Sequence, residues 1–437
     1  MLKYHIWTEG CQMNFSDSLR VASTLEGMGY ERAVKADEAD VVILNTCVVR
    51  QSAEDKATGY LSSLRPLKKK HPNLVINVMG CMVGIKDPDK LRKRFPYVDV
   101  FSPPSDPTPL LKYLDEHEPR QVEENQREAR YTWMDSDFTL PAANKNLVAG
   151  FVPVVYGCSH ACTYCIIPYR RGAEISRPPQ EIINEVRSLT QQGVKEITLL
   201  GQIVDRYGKD RPDYPTLAGI IEQLHDIEGL QRLRFLTSHP NWLTDELIDV
   251  VARLPKVMPH FEVPAQAGDD TVLKNMRRGY TNAEYRQTVE RIRSKIPGAS
   301  IATDIIVGFP GESDEQFQKT YELLADLELD VAHLARYSTR PGTVAERHMN
   351  DDVPDEEKWR RFRLLEELQE QILVRKQAAY LGESTPVLFE EKVKNRWRGR
   401  NPTNKLVFVE NDADLRGQIL PVKINWTGPW SLIGELA

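Results

Sequence analysis

Nowhere in its 437 residues does the chain carry the ~18–20 consecutive apolar residues that a membrane helix requires, which excludes a helical membrane protein. The opening Met1-Leu2-Lys3-Tyr4-His5-Ile6-Trp7 is too short and too polar for a secretory signal, so a cytoplasmic protein with no membrane partner is expected. Positive charge is not in excess either. The formal net charge is −6, so bulk electrostatics would repel nucleic acid and any RNA contact must come from local basic patches. Cysteine is scarce, with only six. An even count could mean three disulfides, but disulfide frameworks belong to small secreted domains, and in a reducing compartment the spacing of these cysteines favours metal or redox chemistry. At 50.0 kDa, with 41% hydrophobic and 27% charged residues, the chain has material for more than one ordinary globular domain.

The six cysteines divide into two trios. Cys158, Cys162 and Cys165 form a compact C-x3-C-x2-C, whereas Cys11, Cys47 and Cys81 are separated by 36 and 34 residues. Three thiolates can hold three irons of a four-iron cluster and leave the fourth open, unlike ferredoxin runs that close the cluster with a fourth cysteine. Zinc is the alternative, but a closed tetrahedral site needs a fourth ligand, and His160 stands at an awkward offset inside the loop. For the dispersed trio the competing reading is three unrelated buried thiols.

The first hundred residues read as strand–loop–helix repeats. Residues 4–7, 41–44 and 74–79 are strand candidates, each followed by a cysteine, with helices opening near Ser16 or Asp17 and near Ser52. The continuous apolar run Val41-Val42-Ile43-Leu44 fits a parallel strand buried on both faces. Parallel strands share one carboxyl edge, where open α/β sheets place ligands, so the three distant cysteines should converge there. From 102 to 149 the chain is rich in Pro, Glu, Asn and Gln and reads as a covering segment and linker, with one helix near 110–117. A second alternating region has strand candidates at 152–155, 196–200, 233–237, 260–263, 300–307 and 331–337. Six such units predict an incomplete parallel barrel whose polar signatures lie at its carboxyl face. A long charged helix is expected over 355–380. Short β-like runs beyond Gly382 predict a small β-barrel.

The C-x3-C-x2-C motif, with Tyr164 before its last cysteine, resembles the radical S-adenosylmethionine superfamily, which uses such a partial barrel. Thr8-Glu9-Gly10-Cys11-Gln12-Met13-Asn14, Asn45-Thr46-Cys47 and Gly80-Cys81 resemble the N-terminal cluster domain of methylthiotransferases. Arg398-Gly399-Arg400-Asn401-Pro402-Thr403-Asn404 and the closing Ser431-Leu432-Ile433-Gly434 are similar to a TRAM domain, an RNA-binding β-barrel. Thr237-Ser238-His239-Pro240, Met276-Arg277-Arg278-Gly279-Tyr280 and residues 337–343 resemble the MiaB type, which methylthiolates carbon 2 of a prenylated adenosine beside the tRNA anticodon. Ile203 and Ala265-Gln266-Ala267-Gly268 depart from that type. A RimO-type enzyme acting on a ribosomal protein aspartate, one acting on threonylcarbamoyladenosine, and a zinc-containing RNA-binding protein stand as the alternatives.

The fold class expected is therefore α/β: an open parallel sheet domain (1–120), a linker (121–148), a partial (β/α)6 radical S-adenosylmethionine barrel (149–380) and a small antiparallel TRAM barrel (381–437). The resemblance implies two 4Fe-4S clusters and two molecules of S-adenosylmethionine, one a methyl donor and one a radical source. Cys158, Cys162 and Cys165 would serve the radical, and Cys11, Cys47 and Cys81 the sulfur. Tyr164, Gln202, Ser238, Gln266 and Arg278 are the cofactor-binding candidates, and the turn 308–312 lies beside the cofactor ribose in relatives. Gln12, Asn14 and Arg340 are substrate or RNA candidates. Lys392, Lys394, Arg396, Arg398 and Arg400 alternate, so on one continuous strand they would share a phosphate-facing side, with Trp397 available to stack a base. The implied partners are a tRNA anticodon stem-loop and a reducing donor of flavodoxin or ferredoxin type, and the enzyme is expected to be a monomer.

Overall fold

A computed structural model describes residues 1–49, 51–86, 88–117 and 138–437, so most of the expected linker 121–148 lies outside the described residues. The N-terminal lobe is a five-stranded parallel sheet of Lys3–Thr8, Glu31–Arg32, Val41–Thr46, Val75–Gly80 and Val100–Ser102. Its spatial order is second, first, third, fourth, fifth. Every residue of Val41–Thr46 is buried because both faces are covered. Val42 and Leu44 pack with Leu61 and Leu64 of the helix Gln51–Lys70. Val41 and Ile43 pack with Val21, Leu25, Leu110 and Leu114 of the helices Gln12–Gly27 and Thr108–His117.

The first helix begins at Gln12, ahead of the expected Ser16 or Asp17. Cys11 is extended (φ −88°, ψ 178°) and its carbonyl accepts from Asn14 N at 2.9 Å, so the first turn closes directly behind the cysteine.

In the central lobe the strands Ala149–Pro153, Glu196–Leu200 and Arg232–Phe235 form one parallel ladder, and His260–Glu262, Ser300–Val307 and Val331–Arg336 form another. The bridge between Leu233 and Val257, and the bond from Ser238 N to the Glu262 carbonyl at 2.9 Å, join the two. The six expected strands are present. The first is shifted, because Val155 belongs to a short antiparallel ribbon with Ser176. Ile197, Leu199, Leu233, Phe235, Phe261, Ile301 and Ile305 make the core beneath the helices. The alternate positions turn the other way and are polar: Glu196, Thr198, Arg232, Arg234, His260, Glu262 and Asp304.

The helix Asp355–Ala378 leads into a closed five-stranded barrel ordered Ser384–Val393, Arg396–Arg400, Leu406–Glu410, Leu432–Leu436, Ile419–Thr427. The expectation of a wholly antiparallel barrel is corrected, since Leu406–Glu410 and Leu432–Leu436 pair in parallel. A ring with an odd number of strands cannot alternate direction throughout, so one parallel pair is unavoidable.

The single basic strand is corrected too. Lys394 (φ 46°) and Asn395 (φ 68°) form a tight hairpin turn between two strands. Lys392 stands opposite Trp397 on one side of the hairpin, while Arg396, Arg398 and Arg400 occupy the other. Trp397 is buried in the barrel and donates to the Ala413 carbonyl at 2.8 Å, so it is not free to stack a base.

The small barrel docks at the starting ends of the central strands. Arg232 donates to the carbonyls of Arg400 (2.6 Å) and Pro386 (2.9 Å), and Arg234 to those of Asn401 and Pro402, both at 2.9 Å. Lys405 pairs with Asp330 at 2.9 Å. The Arg400-Asn401-Pro402-Thr403-Asn404 turn is thus a docking element, at the opposite ends of these strands from the cysteine loop.

Candidate active site

The N-terminal sheet reverses its order between the first and third strands, which is where a ligand crevice opens outside the carboxyl ends. Cys11 and Cys47 follow those two strands, and Cys81 follows the fourth. The sheet edge brings the three together as expected. A Cβ on Gly10 would lie 3.0 Å from the Cβ of Cys47, and Cys81 N donates to the Thr46 carbonyl at 2.9 Å. Asn14, a substrate or RNA candidate, is engaged by protein groups. It is fully buried and donates to Asn45 Oδ1 (2.8 Å) and the Thr46 carbonyl (3.1 Å), while Cys11 Sγ donates to its Oδ1 at 3.3 Å. Asn14 ties the Cys11 loop to the neighbouring strand end. Gln12 is exposed beside it.

The compact trio sits in a loop pinned from three directions. Thr163 N donates to the Met276 carbonyl at 3.1 Å, Ala345 N to the Thr163 carbonyl at 2.8 Å, and Cys158 N to the Gly172 carbonyl at 3.0 Å. All three cysteines line a cavity of about 250 Å³ with His160, Pro168 and Tyr169. His160 does not turn to the sulfurs as a fourth ligand would. Its ring packs edge-on to His239 (4.9 Å) and Trp242 (5.3 Å), and burial lowers its pKa to about 4.

Among the described residues, the only group of three metal-capable side chains with ligand atoms all within 4.8 Å is Glu262, Asp304 and His333. Neither cysteine trio is that tight. A single zinc at ~2.3 Å from each sulfur would hold them closer than this, whereas a four-iron cluster spreads its thiolates further apart. The donor sets therefore fit clusters better than one zinc. Burial pushes the Cys47 thiol up to about 11 and Cys165 to about 12, and raises Cys81 and Cys158. Any bound metal must displace those protons, and nearby donors to sulfur assist. Val49 N and His160 N reach Cys47 and Cys158 at 3.4 Å, Arg171 Nε reaches Cys81 at 3.3 Å, and Arg278 Nη1 reaches Cys162 at 3.2 Å.

Of the cofactor candidates, Arg278 is bonded to the cysteine loop and to Tyr280 (3.0 Å). Tyr164 meets Phe309 edge-on at 6.4 Å, and Phe309 meets Tyr337 at 5.4 Å, an aromatic line from the cysteine loop to the last strand. Gln266 holds a left-handed backbone (φ 72°), with its N bonded to the Asp304 carbonyl at 2.8 Å. Ser238 is buried next to the His239 and Asp205 pair, and Gln202 follows the strand Glu196–Leu200. Glu312 turns inward on its own loop, accepting from Gly308 N at 2.5 Å and from Arg361 at 2.9 Å.

Arg340, the other substrate or RNA candidate, is buried and donates to Gln51 Oε1 at 2.8 Å, with Glu54 at 3.8 Å, so it joins the lobes near Cys47. In the small barrel Arg398 pairs with Glu391, Arg396 with Glu410 at 2.7 Å, and Arg400 with Glu390 at 3.7 Å. Sequence reasoning missed Arg171 and Asp17. The Arg170-Arg171-Gly172 run after the cysteine motif was the available signal.

Residues 152–324 match the family model described as Radical SAM superfamily, and residues 3–102 match that described as Uncharacterized protein family UPF0004. The chain is 46% identical over 435 residues to a tRNA-2-methylthio-N(6)-dimethylallyladenosine synthase of Chloroflexus aurantiacus, covering 99% of this chain and 91% of the relative. It is likewise 46% identical to the synthase of that name from Dehalococcoides mccartyi strain CBDB1, covering 99% and 98%. Among solved structures, the radical S-adenosylmethionine methyltransferase TsrM from Kitasatospora setae, with cobalamin and a [4Fe-4S] cluster bound, shares the fold. The TM-score is 0.57 at 14% identity, over 79% of this chain and 77% of that one.

Proposed function

The chain belongs to the family of tRNA-2-methylthio-N(6)-dimethylallyladenosine synthases, and from that premise we propose that it replaces the carbon 2 hydrogen of a prenylated adenosine beside the tRNA anticodon with a methylthio group. The observation that carries this reading is the pair of three-thiol sites at strand ends of two lobes bonded to each other. Cys158, Cys162 and Cys165 would hold one 4Fe-4S cluster, and Cys11, Cys47 and Cys81 the second. Bound there, the clusters and two molecules of S-adenosylmethionine supply the electron, the 5′-deoxyadenosyl radical and the methylated sulfur.

The protein's own part is placement and exclusion. Thr163 and the Gly172 carbonyl fix the compact loop against the barrel. Arg278 offsets thiolate charge at Cys162. Gln202, Ser238 and Gln266 are assigned hydrogen bonds to S-adenosylmethionine, and Tyr164 a place against its adenine. Asn14, Asn45 and Thr46 set the second site by bonds to one another. Arg340 and the buried Arg20–Glu185–Arg177 group hold the lobes together so that the two sites face a common substrate space.

The domain limits follow as 1–120, 121–148, 149–380 and 381–437, the last a TRAM module that meets tRNA through its exposed basic residues. The chain acts as a cytoplasmic monomer and takes electrons from a flavodoxin or ferredoxin type donor. The test is anaerobic reconstitution with S-adenosylmethionine, reductant and prenylated tRNA, followed by nucleoside mass spectrometry. A nucleoside heavier by methylthio in place of hydrogen is expected. A mass gain confined to ribosomal protein, or to threonylcarbamoyladenosine, would overturn the substrate.

A further inference from the structure

One short segment touches both thiol sites. After Cys165 the chain makes a single helical turn, Ile167–Arg171, and then Gly172. The Gly172 carbonyl accepts from Cys158 N at 3.0 Å, inside the compact loop. The residue immediately before it, Arg171, sends its side chain to the other lobe. There Nε donates to Cys81 Sγ at 3.3 Å, Nη1 to Ser105 Oγ at 3.3 Å, and Nη2 lies 3.9 Å from Asp17 Oδ2. Arg170 reinforces the contact, donating to the Met82 carbonyl at 3.4 Å, and a Cβ on Gly84 would lie 3.1 Å from its Cδ.

We propose that Arg171 is a positioning residue shared by the two cluster sites. Its guanidinium sets the charge and place of Cys81, and its main chain, through Gly172, holds Cys158. The inference rests on the reading that both trios hold clusters. The plainer account is a buried arginine that merely glues two lobes, and the structure provides comparisons for it. Arg20 does so through Glu185, and Arg340 through Gln51 and Glu54. Arg340 also lies near Cys47, but among the described residues Arg171 alone donates a hydrogen bond from one lobe to a cysteine sulfur of the other.

Two physical consequences separate the accounts. A fixed cation with an N–H to sulfur stabilises the reduced state of a bound cluster, so removing it lowers the reduction potential of that site alone. Loosening the segment also frees the two sites from their common anchor. A radical made at one site then meets the sulfur at the other less often.

The variants are Arg171→Gln and Arg171→Lys in the full chain, reconstituted anaerobically. In a Cys162→Ala background, where only the second cluster reports, Arg171→Gln is expected to lower its midpoint potential and alter its electron paramagnetic resonance signal. In the otherwise intact enzyme, the ratio of 5′-deoxyadenosine to methylthiolated nucleoside should rise several-fold. Arg171→Lys, which keeps the charge but not the forked geometry, should restore the potential while leaving the ratio raised. An unchanged potential and ratio in Arg171→Gln, or a lysine that restores neither, would overturn the assignment. A parent chain that binds no second cluster would instead bring down the functional reading on which it rests.

Discussion

A Cβ added to Gly157 would sit 2.0 Å from the carbonyl oxygen of Ala173. The glycine also holds φ +67°, so it is doubly required one residue before Cys158. The close approach is what lets the compact cysteine loop lie against the segment carrying Arg171 and Gly172. Gly157→Ala is therefore expected to dislodge the loop. Iron per chain should fall from about eight to about four, the arithmetic of losing one of two four-iron clusters. Release of 5′-deoxyadenosine should be lost with it, and iron analysis beside that assay checks both.

The matching position at the other site is Gly80 (φ +96°), where a Cβ would lie 2.5 Å from the Thr46 carbonyl. That carbonyl holds Cys81 N and Asn14 Nδ2. Gly80→Ala should likewise remove about four irons. Unlike Gly157→Ala, it should leave 5′-deoxyadenosine release intact while methylthiolation stops. Loss of both activities together would show that the two sites do not divide the chemistry as proposed.

Much of this arrangement is legible in the sequence because it rests on local physics. Val41-Val42-Ile43-Leu44 is apolar throughout because both faces of its strand are covered, and a parallel sheet then dictates that Cys11, Cys47 and Cys81 share an edge. What sequence does not reveal is which side chains cross between lobes. Arg171 meets Cys81 across 90 residues, and Arg340 meets Gln51 across 289. No periodicity encodes such pairs. The alternating basic residues read as one strand because Lys394-Asn395 turns the chain without the glycine that usually announces a hairpin. Asn14 and Arg340 are polar residues in motif positions, yet their partners are protein groups.

The small barrel is fastened by charge buried at the lobe boundary. Arg234 lies 3.0 Å from Glu196 and also donates to the Asn401 and Pro402 carbonyls. Arg234→Ala removes the closest cation from the buried Glu196 carboxylate and leaves Arg232, its cross-strand neighbour, to answer it, so the loss should fall below the about 3–5 kcal/mol of a fully orphaned buried charge. A lowered thermal midpoint is expected, with protease cutting between the long helix Asp355–Ala378 and the barrel. Undisturbed stability would mean that the docking depends on Arg232 and on the Lys405–Asp330 pair.

Glu262 makes stability depend on pH. Burial, and then the neighbouring charge of Asp304, raises its pKa from 4.5 to about 7. A carboxyl whose folded value is raised contributes stability that is fully present below its unfolded value and is lost as pH climbs through the folded one. At 1.36 kcal/mol per pH unit, the ionised side chain costs about 3 kcal/mol above pH 7. Glu262→Gln removes this titration. The variant and the parent should unfold alike near pH 5, and the variant should be the more stable at pH 8.5. Parallel denaturant curves at the two pH values measure the difference, and equal stability at both would refute it.

The tRNA surface proposed for the small barrel is narrower than five alternating basic residues would make it. Arg396, Arg398 and Arg400 each face a carboxylate, respectively Glu410, Glu391 and Glu390, so part of their charge is already answered within the sheet. Lys392 and Lys394 are exposed at the hairpin tip and form no ion pair with the described residues. Binding to phosphates should therefore fall mainly to the two lysines. Lys392→Ala with Lys394→Ala is expected to weaken tRNA binding and lower the salt slope by about one for each phosphate no longer neutralised. Arg396→Ala with Arg398→Ala should change both less, because each arginine must first be drawn from its glutamate. Filter binding or fluorescence anisotropy across a salt series tests the ranking. The arginine pair proving the more costly would place the RNA on the other side of the hairpin.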